Sequence, residues 1–131
     1  MNSDMENLIR DYLIGKTFAV VGASRNPSKF GYQIFRNLLM RGKTVYPINP
    51  NTDEIDGIKV FKSIIEIPEV PFGAHFIVPP TVTEKVLEDV IKKGINYVWM
   101  QPGSESKRAI ELCKNSGINV IYYRCILQIP L

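Results

Sequence analysis

The chain has 131 residues, enough for one hydrophobic core and too few for two. Apolar residues make up 45% and charged residues 22%, the balance of an ordinary globular domain rather than of a disordered or fibrous chain. The net charge of +3 comes without runs of like sign, so neither a nucleic-acid patch nor a membrane-binding face is marked.

The start, MNSDMENLIRDYL, lacks the basic and apolar regions of a signal peptide. No apolar stretch reaches the ~20 residues of a membrane helix. Two cysteines, Cys113 and Cys125, are no disulfide framework. The expected setting is the cytoplasm.

The first predicted element is a helix over 4–13, with Ser3 or Asp4 to cap it and Leu8, Ile9, Tyr12 and Leu13 on one face. TFAVV (17–21) is the first strand, followed by a helix with the stripe Ile34, Phe35, Leu38 and Leu39. TVYPI (44–48) is the second strand, and residues 57–68 hold a short strand or helical turn. AHFIV (74–78) leads to a helix with the stripe Val82, Val86, Leu87, Val90 and Ile91, where Thr81 and Glu84 fit a capping box. NYVWM (96–100) leads to a helix bearing Ala109, Ile110, Leu112 and Cys113, with Ser104 to cap it. NVIYY (119–123) is the fifth strand. Gly42, Gly94 and Gly117 stand where each of the later helices closes in a left-handed turn.

Strands that are apolar at consecutive positions are buried on both faces, as in parallel sheets. Their alternation with helices predicts one domain over 1–131 of the α/β class. The architecture is a Rossmann-like doubly wound parallel sheet with helices on both faces. Counting the five strands along the chain, the expected order is 3-2-1-4-5. Ligands of such sheets bind outside the carboxyl ends of the strands, where the order reverses.

The loop in VVGASRNPSKFGYQIF (20–35) leaves the first strand. Gly22 admits a close backbone approach, Ser24 offers a hydroxyl, and Arg25 and Lys29 offer positive charge. The helix starting near Gly31 points free N–H groups at the loop. The set fits a phosphate, although a plain strand-to-helix turn with solvated cations uses the same residues. The compact glycine fingerprint of dinucleotide sites is absent. At the end of the second strand Asn49-Pro50 replaces the acid that would bind ribose hydroxyls.

Val78-Pro79-Pro80-Thr81 makes a stiff apolar wall, which is also a helix start tolerant of proline. Gln101-Pro102-Gly103 puts an amide beside the crevice. Arg41 and Lys43 lie at the far end of the sheet and read as a solvated helix terminus. Arg124 follows the fifth strand at the crevice end.

Catalytic machinery is scarce. The single histidine, His75, reads as structural, and no metal-ligand spacing or nucleophile–base set can be assembled. Asp53, Glu54 and Asp56 read as a solvated acidic loop, and Cys113 as core. Cys125 reads either as a small buried residue or as a thiol activated by Arg124.

Three motifs together, G-A-S-x-N-P-x-K-x-G, V-x-P-x-N-P and V-W-M-Q, followed by a terminal Arg-Cys, carry a resemblance. The chain resembles the small CoA-binding-domain proteins of the YccU-like type over about residues 15–126. These are similar to the N-terminal CoA-binding domain of the succinate–CoA ligase α subunit and of ADP-forming acetate–CoA ligases. The resemblance implies a Rossmann-like domain holding coenzyme A, or an acyl-CoA, extended across the strand ends. Gly22, Ala23 and Ser24 would lie against phosphates and pantetheine, with Arg25, Lys29 and Tyr32 nearby. Asn49 and Pro50 would sit by the adenosine, Val78, Pro79 and Pro80 along the cofactor, and Gln101, Pro102 and Gly103 by the pantetheine. Tyr123 departs from the acidic residue common before the Arg-Cys pair. The phosphorylated histidine of the ligases belongs to a second domain, so the resemblance implies binding without ligase activity.

The expected function is therefore non-catalytic binding of coenzyme A or an acyl-CoA, as a sensor or partner module. The alternative is an NAD(P)-dependent or thiol-based redox enzyme using Cys125. The apolar tail ILQIPL either docks on a second copy or another protein, or folds back on the chain's own core.

Overall fold

A computed structural model describes residues 2–131, with side chains from Asp4 onward. The elements are α1 (Asn2–Ile14), β1 (Thr17–Val21), α2 (Phe30–Met40), β2 (Thr44–Ile48), β3 (Glu54–Ile55), β4 (Ile58–Lys59), β5 (Gly73–Phe76), α3 (Pro80–Lys93), β6 (Tyr97–Met100), α4 (Lys107–Asn115) and β7 (Asn119–Ile121). Single 3-10 turns lie at Ile64–Glu66 and Ile126–Gln128.

Five strands form one parallel sheet in the order β2-β1-β5-β6-β7. The α/β class and the Rossmann-like form are as expected, but the strand order is corrected. In the count of five used above it is 2-1-3-4-5, not 3-2-1-4-5. The reason lies at the outer edge of β2. The chain leaves β2, forms the β3–β4 hairpin, and returns so that Phe61 bridges Ile48. Phe61 exchanges backbone hydrogen bonds with Pro47 and Asn49. That edge is taken, so β5 pairs with the free side of β1. The order now reverses between β1 and β5, which moves the crevice from the fourth strand end to the third.

The sheet is covered on both faces. Phe18, Val20, Val45 and Trp99 pack with α1 and α2 side chains such as Tyr12, Ile34 and Leu38. Ala19, Val21, Phe76 and Val98 pack with Leu87, Val90, Ala109 and Cys113 of α3 and α4. Alternate residues of β1 thus enter opposite cores, which is why its sequence is apolar without a break from Phe18 to Val21.

Local differences have local causes. The helix cap expected at Asp4 falls inside the first turn of α1, and the Ser3 side chain lies outside the described residues. The capping box at Thr81 is not formed: Pro79 takes the cap position of α3, and Glu84 instead accepts from the Ser106 hydroxyl at 2.7 Å. Ser106, not Ser104, caps α4 by accepting from Ala109 N–H at 3.0 Å. Val82 and Ile91 are exposed, so the buried stripe of α3 is Thr83, Leu87 and Val90. The fifth strand stops at Ile121, ahead of Tyr123, whose φ of 59° is left-handed. The tail folds back. Ile126 is fully buried, and Arg41 donates to the carbonyls of Ile126, Ile129 and Pro130 rather than standing in solvent.

Two glycines set the fit at the crevice. A Cβ on Gly31 would lie 2.1 Å from the Gly22 carbonyl oxygen, and one on Gly22, at φ +96°, would lie 2.1 Å from the Ile77 carbonyl oxygen. Alanine at position 31 would gain ~0.5–1 kcal/mol of helix propensity. Forcing a methyl into packed backbone costs ~1–3 kcal/mol, so the clash wins. Gly31→Ala is therefore expected to lower the unfolding free energy in urea by about 1–2 kcal/mol. An unchanged or raised midpoint would show that α2 is not pressed against β1.

Candidate functional site

Three hollows run along the carboxyl edge of the sheet. The first, about 450 Å³, is a slot between the ends of β1 and β2 and the flank of α3, walled by Val21, Ile48, Ile64, Val78, Val82 and Val86. The second, about 410 Å³, lies in the loop after β1 against Ser24, Ser28, Lys29, Phe30 and Gly31. The third, about 300 Å³, lies against Gln101, Pro102, Cys125 and Gln128. Gly22 and Asn49 border both the first and second, and Phe30 and Ile77 both the second and third. The hollows are one trough.

The middle section is shaped by nested turns. Ser24 Oγ accepts from Asn26 N–H at 3.1 Å, and Asn26 Oδ1 accepts from the Ser28 backbone and hydroxyl at 3.0 and 2.8 Å. The Ser24 hydroxyl proton stays free to donate. Lys29, in extended backbone, takes the cap position of α2 without a side-chain hydrogen bond. Tyr32 and Gln33 N–H donate to the Lys29 carbonyl at 3.1 and 3.2 Å, which leaves the Phe30 and Gly31 N–H groups, on residues that line the hollow, without a protein partner among the described residues.

Asn49 stands where a ribose-binding acid would be, but its amide is engaged. Nδ2 donates to the Ala23 carbonyl at 2.8 Å, and Oδ1 accepts from Asn51 N–H at 2.8 Å. It joins the loops after β1 and β2 and still lines two hollows.

Gln101 is 4% exposed and sits in a buried relay rather than in solvent. Its Oε1 accepts from Ile126 N–H at 3.0 Å, so the same oxygen must also accept from His75 Nε2, 3.0 Å away. His75 Nδ1 is then the acceptor for the Tyr12 hydroxyl at 3.1 Å. Gln101 Nε2 donates to Cys125 Sγ at 3.3 Å. Complete burial holds the imidazole neutral and drives its pKa down to about 3. His75 is structural, at the centre of β5 and stacked on Trp99. Cys113 is closed in the core, where burial pushes its thiol up to about 12.

Of the residues singled out by sequence, Gly22, Ser24, Lys29, Asn49, Pro50, Val78, Gln101 and Pro102 line the trough. Ala23 is buried among core side chains. Arg25, Pro79 and Gly103 are exposed beyond its walls, and Pro80 is half-buried beside them. Tyr32 faces the hairpin, donating to Asp56 at 2.7 Å, while Arg36 lies 3.6 Å from the same carboxylate. Sequence reasoning left out Phe30, Ile77, Lys62, Ser63 and Asp89. Pairing β1 with β5 is the signal that would have found several of them, since it sets α3 opposite the first loop. Among the described residues no group of three His, Cys, Asp or Glu could hold a metal ion, and no helix is long and apolar enough to cross a membrane.

The sequence profile described as CoA binding domain matches residues 16–129. The ADP-forming acetate–CoA ligase of Methanocaldococcus jannaschii is 44% identical over 119 residues, covering 85% of this chain and 17% of that protein. The α subunit of ADP-forming acetate–CoA ligase II of Pyrococcus furiosus is 33% identical over 128 residues, covering 88% of this chain and 28% of the subunit. The chain thus spans less than a third of these ligase relatives. A conserved hypothetical protein of P. furiosus superposes with a TM-score of 0.81 at 38% identity, covering 86% of this chain and 97% of that one.

His75 is the one histidine, so its imidazole gives an unambiguous NMR signal. With a native pKa of about 3 against 6.5 for the free side chain, protonation favours the unfolded chain. Below pH 6.5 this group lowers stability by up to ~1.4 kcal/mol per pH unit, until pH approaches the native value. In the folded protein the imidazole signal is expected not to move between pH 8 and pH 5. A midpoint near 6.5 would show that the relay is open to water.

Proposed function

The chain belongs to the CoA-binding domain family, and from that premise we propose that its trough holds coenzyme A or an acyl-CoA in an extended pose, as a binding module. The continuity of the three hollows, through Gly22 and Asn49 and then through Phe30 and Ile77, carries this reading. A long ligand with an apolar base, a charged diphosphate and an amide-bearing arm matches the three sections in order. The base takes the apolar slot. The diphosphate faces Ser24, Lys29 and the open start of α2, where N–H groups and the helix dipole favour an anion. The pantetheine arm passes Phe30 and Ile77 toward Gln101, Pro102 and Cys125.

NAD(P) suits the trough less well. The ribose acid is replaced by Asn49, whose amide already bridges two loops. A thiol redox role rests on one observation, the place of Cys125 on the third hollow. For the binding module, a partner protein that supplies the chemistry fits the P. furiosus relative, which is itself a subunit. Two free cysteines agree with a cytoplasmic setting.

Thermal unfolding and calorimetric titration test the reading. CoA at a hundred times its dissociation constant is expected to add about 2.7 kcal/mol to native stability. NAD, NADP and ATP at the same concentration are expected to add far less. Lys29→Glu and Val82→Glu, both at exposed trough positions, should weaken CoA binding tenfold or more while moving ligand-free stability by less than ~0.5 kcal/mol. Cys125→Ser should bind CoA as the wild type does. A shift with NAD or NADP in place of CoA, or none with CoA, would overturn the proposal.

A further inference from the structure

The slot at the end of β2 carries two side chains of opposite charge on otherwise apolar walls. Lys62 and Asp89 both line it, Lys62 from the segment after the hairpin and Asp89 from α3. With adenosine in this slot, CoA brings a group that NAD and ADP lack, a phosphomonoester on the ribose 3′ oxygen. That dianion cannot sit against the carboxylate of Asp89 without repulsion. The other charged wall is the side of Lys62, with the Ser63 hydroxyl next in the chain.

Lys62 is placed for such a task. Its backbone is fixed, since the preceding Phe61 is hydrogen-bonded to β2 and its own N–H donates to Glu66 at 3.1 Å. Its ammonium is not buried in a strong pair. It lies 3.2 Å from Asp53, whose side chain is 96% exposed, and an ion pair in water of that kind is readily exchanged for a phosphate.

We propose that Lys62, assisted by Ser63, receives the ribose 3′-phosphate and makes this domain distinguish CoA from its 3′-dephosphorylated form. The proposal rests on the reading of the trough as a CoA site. Lys62 is a specificity residue here, and Asp89 keeps the phosphate to one side of the slot.

Titration calorimetry with CoA and with dephospho-CoA tests it. The wild type should bind CoA about tenfold more tightly than dephospho-CoA, with the preference shrinking as salt is added. Lys62→Ala should abolish the preference by weakening CoA alone, leaving dephospho-CoA within about twofold, and Lys62→Arg should restore it. Equal affinities in the wild type, or an equal loss for both ligands in Lys62→Ala, would overturn the role of Lys62 and leave the cofactor reading standing. Binding of neither ligand by the wild type would overturn both.

Discussion

The close approach of Gly22 to its neighbours is the constraint on which the rest of the structure depends. Its N–H donates to the Ile48 carbonyl of β2 at 3.1 Å, and its α-carbon faces the Ile77 carbonyl beyond β5. Its own carbonyl lies against the α-carbon of Gly31 in α2. One residue thus brings three strand ends and a helix start within contact distance. A side chain there would wedge them apart, and the trough floor would become wall. The floor is bare backbone because the packing leaves room for nothing larger.

A second constraint crosses the sheet. Tyr12, His75 and Gln101 form a buried polar chain from α1 to the trough edge and the 3-10 turn at Ile126–Gln128. Unpaired, each group would cost stability, but here every role is fixed by its neighbour. The orientation of the Gln101 amide follows from Ile126, that of the imidazole from Gln101, and that of the phenol from the imidazole. The relay therefore ties the first helix and the last turn to one geometry of the trough's far end.

Much of this was legible in the sequence where local chemistry decides. The runs 17–21 and 44–48 are strands to the residue, and Gly42, Gly94 and Gly117 all take the left-handed turn after a helix. The strand order was not legible, because it turns on Phe61, a single bridging residue in a stretch with no periodicity. Competing local signals misplaced the caps: Pro79-Pro80 starts α3 two residues before Thr81 could, and Ser106 outcompetes Ser104. Within the trough, residues at strand ends were legible from the rule that ligands gather there. Lys62, Asp89 and Ile77 reach it only through tertiary placement. Gln101, an amide in a turn, gave no sign that the chain's last turn would bury it.

The uncapped start of α2 has a consequence for how far this fold could be strengthened. A serine, threonine or aspartate in the cap position of a helix commonly adds ~0.5–2 kcal/mol, and Lys29 forgoes that gain. Any side chain that claimed it would fill the same N–H groups that an incoming anion needs. If the trough holds CoA as proposed, robustness and affinity are thus traded at a single position, and a search for the sturdiest variant of this domain would drift toward one that binds less well.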